Sequence, residues 1–324
     1  MRIQLTTLIL SLLVSACAHH SETYSSEPLS NAANLPEPDV SLKIPGLSNC
    51  TSKDSDLLQL NSQQPVTVLV HGCFSSAGRF RALANVYAYQ GQQTVCFNYD
   101  DRERLPIVAR QFSKAVGKLS RALDAPEITV VAHSQGGLIA RRAFTHSPST
   151  EKNIDLVTIS SPFGGVRAAS HCGSKTLSWL SLGVTNLICT AVTGVKYNDI
   201  PANADFIKKP GALNTRVVKH FKIITDEENT CRVYDQNQRC VEDDFVFGVE
   251  EQKQKYVDAE EVIHELVVHA GHAEIVGNSS TVPHKLIDIL QSEGYLKQTP
   301  VDKQQEFSDF LLKTYMGIAQ QTAY

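Results

Sequence analysis

From Pro65 onward, short apolar and β-branched runs alternate with longer amphipathic stretches, a pattern that predicts βαβ units around a mostly parallel sheet. The clearest strands are Val66 to Val70, Thr94 to Phe97, Ile128 to Ala132, Leu156 to Ser160 and Phe221 to Thr225, with a last one over Val262 to Val268. Between them Ile107, Phe112, Val116, Leu119 and Leu123 recur at roughly helical spacing and should cover one face of the sheet. A closing helix is expected around Lys285 to Leu290. Residues 301–324 alternate polar with apolar positions (Phe307, Phe310, Leu311, Tyr315) and read as a C-terminal helix without chemistry of its own.

One connection breaks the rhythm. The segment 167–219 separates two expected strands and is far longer than an ordinary crossover, so it reads as an insertion. Its middle, TLSWLSLGVTNLICTAVTGV, is unusually apolar and carries the only tryptophan, Trp179. The functional reading is a helical cap or lid whose Trp179, Leu180, Leu182 and Leu187 wall an acyl chain; the plainer reading is a helical excursion packed on the sheet.

Composition narrows the class without naming it. A chain of 324 residues with 42% hydrophobic and 20% charged residues is an ordinary globular protein, not a disordered, collagenous or multi-span membrane chain. The net charge of -4 comes without long runs of one sign, so no basic stripe tracks a phosphate backbone and nucleic acid is not an expected partner. At the N-terminus Arg2 precedes an apolar stretch from Leu5 to Val14, too short to span a bilayer comfortably, which reads as a signal peptide over residues 1–16. Its end, Val14-Ser15-Ala16-Cys17, resembles a bacterial lipobox. That resemblance implies diacylglycerol on the Cys17 sulfur, and Ala18 after it implies sorting to the outer membrane. Residues 17–50, rich in Ser, Pro, Asn and Glu, suit a flexible tether, which leaves 51–300 for the main domain.

Cys50, Cys73, Cys96, Cys172, Cys189, Cys231 and Cys240 follow Cys17. Export into an oxidising compartment favours disulfides, and an odd number leaves a thiol over. Cys231 and Cys240 bracket the turn-prone RVYDQNQR and are expected to pair, with Cys172 and Cys189 next; Cys96, inside an apolar strand, reads as the free one. No spacing of Cys or His suggests a metal site, and no cofactor is expected.

The strand ITVVA runs into His133-Ser134-Gln135-Gly136-Gly137, with the helix-like LIARRAF behind it. This is a nucleophile elbow in strand, turn and helix context, with Ala132 where the common pattern has its first Gly. The helix N-terminus behind Ser134 offers partial positive charge and free N–H groups where an oxyanion would form.

On these residues the chain from Pro65 to about Leu290 resembles the α/β-hydrolase lipases and esterases. VTVLV followed by His71-Gly72-Cys73 is similar to the H-G turn after an early strand of those lipases. Thr158-Ile159-Ser160-Ser161-Pro162-Phe163-Gly164-Gly165 looks like their T-x-x-T-P-H-x-G segment, read as structural. The resemblance implies an α/β-hydrolase fold, an oxyanion hole from the backbone of Cys73 and Gln135, and the chain order nucleophile, acid, base. His272, in the Gly-His turn after the last strand, is the expected base, with His269 as runner-up and His264 within the strand. The acid is less sharply placed. Asp243 fits the family's D-x-x-V once the bridged excursion is skipped, and Asp226, Asp244 and Glu227 stand behind it. The implied chemistry is cleavage of ester or lipid substrates through an acyl-enzyme. A thioesterase, amidase or acyltransferase would use the same residues, and the rival from another class is a non-catalytic, lipid-anchored binding protein.

Overall fold

The computed structural model describes residues 29, 34–51, 56–73, 75–146, 148–167, 169, 195–278 and 281–321. Its strands, in chain order, are β1 (Val40–Lys43), β2 (Leu47–Ser48), β3 (Leu57–Leu60), β4 (Val66–Val70), β5 (Gln93–Phe97), β6 (Glu127–His133), β7 (Asn153–Ile159), β8 (Val217–Asp226), β9 (Cys231–Tyr234), β10 (Cys240–Asp243) and β11 (Ile263–His269). Seven of them form one sheet in the order β11-β8-β7-β6-β4-β5-β2, parallel throughout except for the antiparallel edge strand β2. A continuous apolar run suits a strand covered on both faces, and every residue of β4 and β5 is buried.

Alternation along each strand then sorts the core into two layers. Val66, Val68 and Val70 of β4, with Ile128, Val130 and Ala132 of β6, face one layer; Leu69 and Val131 face the other. The first layer is closed by helix α2 (Leu105–Arg121), following α1 (Arg81–Tyr89), and by α3 (Gln135–Ala143). Leu105, Val108, Phe112, Val116 and Leu119 give α2 a single apolar stripe, with Val108 rather than the half-buried Ile107 at its second position. After the short α4 (Asp205–Lys208) and α5 (Lys255–Asp258), helices α6 (His284–Ser292) and α7 (Gln304–Gln321) close the second layer together with α1. Phe307, Leu311 and Tyr315, spaced by four, bury the inner face of α7. Among the described residues no helix is long and apolar enough to cross a membrane.

Two expectations change. The stretch before residue 50 is not all tether: β1 pairs with β3, and Leu47 and Ser48 pair with Phe97 and Cys96. That register carries Cys50 to Cys96, and the two form a disulfide with both sulfurs buried, so Cys96 is not the free cysteine. Closing 46 residues of chain, it stabilises the fold by about 4 kcal/mol on the chain-entropy account. Cys231 and Cys240 pair as expected, stapling the hairpin β9–β10, while Cys73 stays a thiol. Cys172, Cys189 and residues 170–194 of the expected cap lie outside the described residues.

Candidate active site

Strand β6 delivers Ser134 to the carboxyl edge of the sheet, where the chain reverses directly into α3. The reversal forces Ser134 to φ 56° and ψ -129°, a conformation that costs a non-glycine residue on the order of 1–3 kcal/mol. Surrounding structure holds it there. The Ser134 N–H donates to Ile159 O at 2.8 Å, and its own carbonyl accepts from Gly137 N at 3.0 Å. Close approach explains the small residues around it: a Cβ on Gly136 would lie 2.4 Å from His71 O, and one on Gly72 would lie 2.9 Å from Ser134 Cβ. The turn His71-Gly72-Cys73 therefore presses on the nucleophile elbow, and Gln135 follows as the first residue of α3.

His272 arrives from β11 through the short turn Ala270-Gly271. Its Nε2 lies 3.1 Å from Ser134 Oγ and its Nδ1 lies 2.9 Å from Glu227 Oε1. A carboxylate only accepts, so Nδ1 carries the proton and Nε2 is left to accept from the serine hydroxyl. The Phe247 ring meets the imidazole edge-on at 4.9 Å, and His133 Nε2 donates to the His272 carbonyl at 3.0 Å. Burial holds the His133 imidazole well below its ordinary pKa, with the neighbouring His272 adding to the effect, so His133 stays neutral.

The carboxylate at His272 belongs to Glu227, not to Asp243. Glu227 leaves the end of β8, the strand paired with β11, so the two loops are neighbours by topology. Its side chain is wholly buried yet fully bonded. Oε1 accepts from Ser160 Oγ (2.6 Å) and Thr225 Oγ1 (2.8 Å) besides His272; Oε2 accepts the N–H groups of Val246 (2.6 Å) and Phe247 (2.8 Å). Burial alone would raise its pKa; the hydrogen bond and charge of His272, with the Ser160 and Phe247 donors, outweigh it and hold the carboxyl below the usual range.

The other carboxylates have different places. Asp243 ends the exposed hairpin strand β10, and its Oδ1 accepts from its local neighbour Phe245 N. The stapled hairpin carries it outward, which is why its D-x-x-V spacing misleads. Asp226 accepts from Glu228 N at the strand end. Asp244 is buried and serves the base loop: it accepts from Ala273 N and Glu274 N, pairs with Arg232 at 2.8 Å, and takes the His272 N–H on its carbonyl. His264 stacks on Phe221, and the exposed His269 offers its carbonyl to Lys285.

Ser160 was expected to be scaffold, but it belongs to this network. Held at φ 47°, it sets its Oγ 2.8 Å from His272 Nδ1 while donating to Glu227. Glu227 carries no local motif, and the segment that holds Ser160 was read as structural; what marks both is position, at the carboxyl ends of strands lying between those that bear Ser134 and His272. Trp179, Leu180, Leu182, Leu187 and Cys17 lie outside the described residues.

A doubly wound parallel sheet, a strained serine at a strand-to-helix elbow and an imidazole after the last strand define the α/β-hydrolase class. Within it, residues 63–276 match the model of the lipase (class 2) family, and the chain belongs to that family. Among solved structures it is similar to the mature lipase BlEst2 of Bacillus licheniformis, at 12% identity over 72% of this chain and 93% of that one, with a TM-score of 0.50. It is also similar to the esterase Pf2001 of Pyrococcus furiosus, at 15% identity over 91% and 98%, with a TM-score of 0.44. At 12% identity the likeness to the BlEst2 lipase speaks to fold alone. No curated protein matches the chain in sequence.

Proposed function

We propose that this protein is a serine hydrolase cleaving carboxylic esters with an apolar acyl part through an acyl-enzyme. Ser134 Oγ attacks the carbonyl carbon while His272 Nε2 takes the hydroxyl proton and then hands it to the departing alkoxide. Water, deprotonated by the same nitrogen, attacks the acyl-enzyme and releases the acid and free Ser134. Glu227 keeps His272 in the tautomer that accepts at Nε2 and stabilises the imidazolium formed in each step. The oxyanion rests on the N–H groups of Cys73 and Gln135. One observation carries this reading: the continuous line from Ser134 through His272 to the ionised Glu227, at 3.1 and 2.9 Å. Membership of the lipase (class 2) family supports the ester as the substrate class.

Purified protein should turn over p-nitrophenyl esters and take a fluorophosphonate label that Ser134→Ala abolishes. No turnover at any acyl length, or labelling that survives the substitution, would refute it. The family resemblance of the N-terminus extends the proposal to a lipid anchor at Cys17 and an outer-membrane location. Metabolic labelling with a palmitate analogue should mark the wild type and not Cys17→Ala, and equal marking of both would overturn the anchor.

A further inference from the structure

Lys196 lies in the inserted segment, and its side chain has no solvent exposure. Burying an ammonium costs several kcal/mol unless partners compensate, so its partners indicate what the position is for. Nζ donates to Cys73 Sγ at 2.8 Å and pairs with Asp101 Oδ2 at 3.4 Å. Both belong to the region that frames the nucleophile elbow. Cys73 follows the glycine that touches Ser134, and the Asp101 carbonyl accepts from Gln135 Nε2 at 3.2 Å. Three residues on, Asp199 fastens the same segment to the start of α2. Its carboxylate takes both Arg104 Nε (2.7 Å) and Nη2 (2.6 Å) and the Leu105 N–H (3.0 Å). Tyr99, two residues before Asp101, donates to the His71 carbonyl at 2.7 Å. The inserted segment, the loop after β5 and the two residues proposed to hold the oxyanion are thus joined around one buried cation.

We infer that Lys196 is a positioning residue for the oxyanion hole: by holding the Cys73 side chain and Asp101, it fixes the direction of the Cys73 and Gln135 N–H groups. The inference rests on the ester-hydrolase reading above. Aligned donors bind the developing oxyanion more tightly than the flat ground-state carbonyl, so misaligning them lowers kcat and leaves KM nearly alone. A fold-supporting lysine would instead lower the fraction of active protein.

The test is a double-mutant cycle of Lys196→Met and Cys73→Ala in the full chain, with turnover of p-nitrophenyl butyrate expressed per site titrated by fluorophosphonate. Each single substitution should lower kcat per site about tenfold, with KM within about twofold, and the double variant should be no slower than the slower single. Wild-type kcat per site in Lys196→Met, or losses that add in the double variant, would overturn the role. Cys73→Ala keeps the backbone donor and removes only the tethered sulfur, so it carries the test alone if Lys196→Met does not fold; unchanged kcat there is equally fatal. An inert wild type would overturn the hydrolase reading, and this role with it.

Discussion

Glu227, bonded to His272, and Cys73, next to the glycine that touches Ser134, stand on different loops, and the protein secures them by different means. Glu227 is wholly buried and accepts five hydrogen bonds, from the side chains of His272, Ser160 and Thr225 and from two backbone N–H groups. Cys73 sits half-exposed in a turn, its sulfur taking a hydrogen bond from the buried ammonium of Lys196, which comes from outside the sheet. A carboxylate buried among many donors loses only part of its support when one is removed, whereas a turn tied to a neighbouring segment moves with that segment. The carboxylate is anchored by the sheet and its adjoining loops; the proposed oxyanion side is tied to a segment outside the sheet.

The expected effects follow from that contrast, the largest first. Ser134→Ala removes the nucleophile and should lower kcat by about four orders of magnitude or more, read in p-nitrophenyl ester turnover. Residual turnover close to wild type would mean another group attacks.

Removing the buried disulfide by Cys50→Ala should lower unfolding free energy by about 4 kcal/mol in urea titration. The shorter loop of Cys231–Cys240 should matter less to stability, at about 3 kcal/mol, and more to activity. Arg232 beside it pairs with Asp244, which holds the base loop. If cutting either staple changed stability and turnover in the same ratio, the separation between scaffold and site would fail.

Acid should destabilise the fold, because burial holds the His71 imidazole down to about 4 and keeps His133 and His220 neutral as well. Each unfolded histidine takes up a proton from about pH 6.5 downward while its folded counterpart does not, so stability falls as pH falls through that window. For His71 alone the loss at pH 5 relative to neutrality is about 2 kcal/mol. Glu227 acts in the same direction lower down: its depressed pKa contributes stability above about 4.5 that is lost as pH falls through its folded value. His71→Gln should flatten the urea midpoint against pH between 6.5 and 4, and an unchanged curve would contradict the assignment. The smallest effect expected is that of Ser160→Ala, about threefold in kcat, since four donors to Glu227 remain.

Much of this was legible along the chain, for identifiable reasons. The central parallel strands are buried apolar runs, and all six expected strands are present to within a few residues. Ser134 and the His71-Gly72 turn are local strings whose chemistry demands small neighbours at fixed places, and His272 follows a strand end and a glycine. The acid has no such string. Glu227 is recognisable only once β8 is known to lie beside β11, and the inserted hairpin placed a better-looking match at Asp243. Cys96 looked like an ordinary core residue because its partner lies in a segment whose strand, β2, is two residues long. Lys196 carried no signal at all, since a buried lysine inside an apolar insertion is visible only through its partners.

The most direct test of the central claim compares kcat for p-nitrophenyl butyrate in Glu227→Gln and Asp243→Asn. A Glu227 that orients His272 predicts a loss of about three to four orders of magnitude in the first and wild-type turnover in the second. The reverse pattern, or an active Glu227→Gln, would contradict it.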